Sequence, residues 1–165
     1  MKHLIILSFI AVSLSTHCQT LRETELWIAD KFEIFGLKTK EGYVEIHHNY
    51  VLDFSEEWKL IIYETEFLPK SQSSTLIIFN VPIPRMKKIL YNIKEDRVMV
   101  WIQTKAGVSD VINPILKQTI RNEEWNTENI SGFSLYFDKK FLEEDMPNRF
   151  IKAMNHLIEL NGGEI

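Results

Sequence analysis

The chain has 165 residues and a formal net charge of −4, with 45% hydrophobic and 12% aromatic side chains. It can therefore build a core, and with no repeat or low-complexity tract it is neither disordered nor fibrous. Lysine and arginine number 19 against 23 acidic residues and are interspersed with them, which excludes nucleic acid as a partner and disfavours electrostatic docking on anionic lipid.

The first 18 residues read as a signal segment. Met1-Lys2-His3 gives a short positive start, and Leu4 to Leu14 is an uncharged apolar run, too short to span a bilayer as a mature helix. Loss of Lys2 with this segment takes the charge to −5. Two fates are open for the single cysteine. Leu14-Ser15-Thr16-His17-Cys18 resembles a lipobox, in which Cys18 becomes a lipid anchor, whereas cleavage after Cys18 leaves a soluble product beginning at or near Gln19. The expectation is export to the periplasm or the cell exterior, with contact to a membrane only through an anchor at Cys18. In either case no pair of cysteines remains for a disulfide, so residues 19–165 form a single domain that rests on its core alone.

Thr20-Leu21-Arg22-Glu23 fits a capping box, and Gly36 supplies a stop. Between them Leu21, Trp27, Ile28, Phe32, Ile34 and Phe35 make an apolar stripe at helical spacing, which predicts a helix lying on a sheet. From Tyr43 to Thr104 the period becomes strand-like. Residues 43–47, 58–63, 75–81, 89–93 and 97–103 are strands, the last two joined by a hairpin at Lys94-Glu95-Asp96. The short links make the sheet mostly antiparallel. Residues 110–120, interrupted by Pro114, fit a strand or a short helix, with an edge strand preferred, and the polar stretch 123–129 reads as a loop in which Trp125 is either exposed or a plug over the core. Asn129-Ile130-Ser131 matches a glycosylation sequon. Gly132 to Asp138 alternates as a further strand. Asp145-Met146-Pro147 opens a final helix with the stripe Phe150, Met154, Leu157 and Ile158, closing at Gly162-Gly163.

The expected class is α+β: a mostly antiparallel sheet or roll of six to seven strands, packed by a C-terminal helix and carrying an additional N-terminal helix. This order, the phrase Phe79-Asn80-Val81-Pro82-Ile83-Pro84-Arg85 leading into residues 86–89, and the closing segment 149–158 resemble small secreted bacterial proteins with a pleckstrin-homology-like roll. The resemblance implies a domain that binds protein or lipid partners, and it carries no catalytic signature.

A search for chemistry finds no phosphate loop, nucleophile elbow or HExxH pair. The best constellation is His47-His48-Asn49 with a carboxylate such as Asp53 or Glu45. Adjacent strand residues point to opposite faces, however, so His47 and His48 do not ligate one ion without a bulge, and neither a metal nor another cofactor is expected. His156 reads as a boundary residue of the last helix, and Glu143-Glu144-Asp145 as the acidic start of that helix. His47, His48 and Trp125 are the candidate binding residues, and no residue is assigned a catalytic role. The sequence thus points to an exported noncatalytic binding domain whose partner is an unidentified protein or a small apolar ligand. The alternatives are a hydrolase-type enzyme, which a buried carboxylate beside a histidine would favour, and a carrier of apolar ligands, which an enclosed apolar cavity would favour.

Overall fold

The capping box that the sequence places at Thr20–Glu23 forms as its residues require. Thr20 Oγ1 accepts from the Glu23 amide at 3.2 Å, and Glu23 Oε2 accepts from the Thr20 amide at 2.8 Å, which fixes the entry of helix α1, Leu21–Ile34. The structure, a computed structural model, describes residues 20–41, 44–104, 115–121 and 123–165. The signal segment with Cys18 and the stretch 105–114 lie outside these residues.

Nine strands are present among the described residues: β1 Lys38–Glu41, β2 Val44–Asp53, β3 Lys59–Leu68, β4 Ser73–Pro82, β5 Met86–Ile93, β6 Arg97–Thr104, β7 Ile115–Arg121, β8 Glu124–Ile130 and β9 Gly132–Asp138. All pairings are antiparallel. They form a six-stranded sheet in the order β1-β2-β3-β4-β7-β8 and a three-stranded sheet in the order β5-β6-β9. Helix α2, Met146–Leu160, follows a 3-10 segment over Lys139–Asp145. Among the described residues the chain is therefore α+β with two antiparallel sheets and two helices, and has more strands than the six or seven expected.

The stretch 123–129 corrects the sequence reading, because it is strand and not loop. The turn is made at Glu123, whose φ of 66° is the left-handed conformation, and β8 then pairs with β7 from Arg121↔Glu124 to Ile115↔Ile130. As a consequence β7 is interior, held between β4 and β8, and the edge strand is β8.

The stripes expected on the helices are mostly buried. In α1, Ile28 and Phe32 are sealed while Leu21 and Ile34 stay exposed. In α2, Phe150, Met154, Leu157 and Ile158 are all sealed. Asp145 does not cap α2 through its side chain; it takes a left-handed φ of 56° and accepts from the Asn148 side-chain amide instead. Helix α1 packs on β2 and on α2, which in turn lies against β5. The space between helices and sheets is filled by rings: Phe32 lies 5.6 Å from Tyr50, 5.2 Å from Phe137 and 5.5 Å from Phe150, and Phe137 stacks on Phe141 at 4.5 Å. Phe79 of β4 stacks on Phe133 of β9 at 4.3 Å, which joins the two inner sheet faces.

One edge of the three-stranded sheet is closed by the N-terminal part of the chain. Gly36 bridges to Phe137, the Asp138 amide donates to the Phe35 carbonyl at 3.2 Å, and the Tyr136 amide donates to the Tyr50 hydroxyl at 2.9 Å. The Leu37 carbonyl accepts from the His48 amide at 2.8 Å, so residues 35–37 lie between β9 and β2.

Candidate functional site: a buried histidine, glutamate and tyrosine network

The inward row of β3 runs Leu60, Ile62, Glu64, Glu66, so two apolar positions are followed by two carboxylates on the same face. In β2 the matching row is His48, Tyr50, Leu52. The register sets Tyr50 opposite Glu64 and His48 opposite Glu66. Side chains facing one another across an antiparallel pair lie about 5 Å apart at Cβ, close enough for these four to interact.

His48 Nδ1 and Glu64 Oε1 are 2.7 Å apart and share a proton, and Glu66 Oε1 stands 4.0 Å from the same nitrogen. His48 is 6% exposed and Glu64 3%. The Tyr50 hydroxyl donates to the Glu64 carboxylate while accepting from the Tyr136 amide. Burial pushes the Tyr50 hydroxyl well above its ordinary pKa, and the negative charge of Glu64 pushes it further. The His48 ring is fixed by neighbouring rings, stacked with Tyr50 at 6.3 Å and tilted against Tyr136 at 5.1 Å. Arg97 in turn lies over the Tyr136 ring at 5.0 Å. The outcome is a buried polar chain that runs from β3 through β2 to β9, a high-stakes arrangement in a low-dielectric interior.

The sequence-chosen residues do not converge. β2 pairs with β3 without a bulge, so His47 and His48 face opposite sides of the sheet as the alternation requires. His47 is on the outer face and meets Phe67 edge-on at 6.2 Å. Trp125 shares that face by register but lies on β8, four strands from β2, roughly 19 Å away at about 4.8 Å per strand. It is 63% exposed, an open aromatic and not a plug, and it lines a cleft of about 330 Å³ with Thr119, Arg121, Glu124 and Asn126. Asp53 is on the outer face too, where its carboxylate accepts from the Ser55 amide at 2.7 Å. The side chain of Glu45 lies outside the described residues. His156 sits on α2, partly exposed, 3.8 Å from Glu159.

The residues that sequence reasoning missed are Glu64, Glu66 and Tyr50. The signal was present: a strand whose inward positions turn from Leu and Ile to Glu breaks the apolar alternation that a core face demands. Which partner those carboxylates meet depends on the β2–β3 register, and that is set by the whole sheet.

No protein-family model matches the chain, and neither a curated protein nor a solved structure shows significant similarity to it. Among the described residues, no helix is long and apolar enough to cross a membrane.

Proposed function

We propose that the protein is an exported, noncatalytic interaction domain that docks another protein on the outer face of its six-stranded sheet. The observation that carries this reading is the apolar character of that face. Val51 is 58% exposed, Phe67 38% and Trp125 63%, with Tyr63, Leu76, Ile78 and Ile120 half-buried between them. The solvent face of an antiparallel sheet is ordinarily polar, and a contiguous exposed apolar surface marks a contact site. Tryptophan, tyrosine and phenylalanine are also residue types enriched at interfaces.

The carrier of apolar ligands loses support because aromatic rings fill the space between helices and sheets. The enzyme reading has one observation in its favour, the buried His48–Glu64 pair. Against it, the two side chains are only 3% and 4% exposed, so a substrate would have to open the interior to reach them. We further propose that the topology is a pleckstrin-homology-like roll. Antiparallel strands closed by α2 support it, and the strand order departs from a plain succession where β7 returns to β4 and where β9 returns to β6.

The test compares immobilised wild-type protein with a Val51→Glu/Trp125→Glu double variant, both exposed to the native host's exported proteins. A partner held saturably by the wild type and lost by a still-folded variant supports the reading. Equal retention by both sinks it, and turnover of an ester, peptide or glycoside panel that disappears in His48→Gln installs the enzyme reading in its place. Export is checked by intact mass of the native protein: a mass beginning near Gln19, or at Cys18 with acyl chains, upholds it, and a mass beginning at Met1 refutes it.

A further inference from the structure

Three ligand-capable side chains meet on the inner face where β2 pairs with β3. One ligand atom each from His48, Glu64 and Glu66 lies within 4.8 Å of the other two. We propose that these residues form a binding site for a divalent first-row transition metal ion of the zinc and manganese class, with one imidazole and two carboxylates as its protein ligands.

The geometry needs little change to take an ion. With metal–nitrogen and metal–oxygen bonds of about 2.0–2.1 Å, neighbouring ligands of a tetrahedral ion stand roughly 3.3 Å apart. The 2.7 Å contact between His48 and Glu64 opens by about half an ångström, the 4.0 Å contact to Glu66 closes by a similar amount, and the ion replaces the shared proton. Rotation about the glutamate side-chain bonds covers both adjustments.

The donor set selects the class of ion. Imidazole with carboxylates suits zinc, manganese or iron(II); calcium asks for six to eight oxygens, and copper(I) asks for thiolate or thioether sulfur. Burial adds a reason for a dication, since two carboxylates brought together in low dielectric repel one another, and an ion between them turns that repulsion into attraction. The surroundings already orient the ligands. The Tyr50 hydroxyl holds Glu64, the Tyr136 amide holds Tyr50, and the Tyr50 and Tyr136 rings flank His48, which is the work that outer-shell groups do around a metal. Glu66 is the way in, because its side chain is 32% exposed whereas those of His48 and Glu64 are 3% and 4%.

The experiment titrates chelator-treated protein with zinc by calorimetry and with cobalt(II) by visible absorption. The expected result is one ion per chain, with ligand-field bands of an oxygen- and nitrogen-bound cobalt. Glu66→Gln should weaken affinity at least tenfold while the metal-free melting temperature stays unchanged, and His47→Ala should leave affinity as it was. Glu64→Gln and His48→Gln should abolish binding, and if either fails to fold, Glu66→Gln still decides. Absence of saturable binding overturns the proposal. So does affinity that survives Glu66→Gln, or that vanishes with His47→Ala, which would place the ion on the outer face.

Discussion

Tyr50→Phe removes one oxygen and leaves the ring, so it isolates what the hydroxyl does. That hydroxyl has two partners, the Tyr136 amide at 2.9 Å and the Glu64 carboxylate. Leaving a buried amide unsatisfied costs about 1–3 kcal/mol, and losing a donor to a charged group costs about 1.5–3 kcal/mol. The two losses share one atom and do not add fully, so the net destabilisation is about 3 kcal/mol. At roughly 3 °C per kcal/mol for a chain of this size, the melting temperature falls by about 10 °C. Urea denaturation should show a lower midpoint at unchanged slope, because the surface exposed on unfolding is the same. Hydrogen exchange supplies the specific readout: protection of the Tyr136 amide should drop further than that of its neighbours in β9. A loss below about 0.5 kcal/mol, the range of an ordinary surface substitution, with Tyr136 protection intact would refute the network.

The same hydroxyl predicts an alkaline limb in stability. Its folded pKa lies above its ordinary value of 10.0, so the folded state holds the proton more tightly, and the stabilisation is complete below about pH 10 and lost as pH climbs toward the folded value. Chelator-treated wild type should therefore lose stability above pH 10 more steeply than Tyr50→Phe; parallel curves in urea melts would count against it. Leu157→Asp places an unpaired charge at a position with no exposure and should leave no cooperative melt by circular dichroism, so a stable soluble variant would contradict the packing of α2. Gly132→Ala puts a methyl group 2.7 Å from the Trp101 ring and 2.8 Å from the Ile102 carbonyl, so it should cost about 1–3 kcal/mol and shift tryptophan fluorescence, whereas an unchanged melt would mean that Trp101 does not lie across β9.

Features carried by local chemistry were legible in the sequence. The Thr20/Glu23 cap, the alternation in Gly132 to Asp138 and the stripe of Phe150, Met154, Leu157 and Ile158 each depend on residues a few positions apart, and each is present. The opposite facing of His47 and His48 followed from the pleat alone. β8 was not legible because Glu124–Ile130 carries a single apolar residue on each face, Trp125 and Ile130, among polar ones; as an edge strand with all but one residue exposed, it needs no continuous apolar side, and only its pairing with β7 defines it. The His48, Glu64 and Glu66 cluster was hidden for a different reason: 16 residues separate His48 from Glu64, and their meeting is a property of register and not of spacing.

The seam at β9 also bears on when the domain can finish folding. The Tyr50 hydroxyl waits for an amide 86 residues further along, and Gly36 waits for Phe137. Until the last strand has emerged from the ribosome, the N-terminal helix has no Phe137 or Phe150 to pack against, and Tyr50 sits beside an unfilled core. The consecutive strands β2, β3 and β4, and likewise β5 and β6, have their pairing partners at hand earlier, but the docking of α1 and the closing of the seam at β9 must come last. A nascent protein that crosses a membrane in the unfolded state would be served by that order of events.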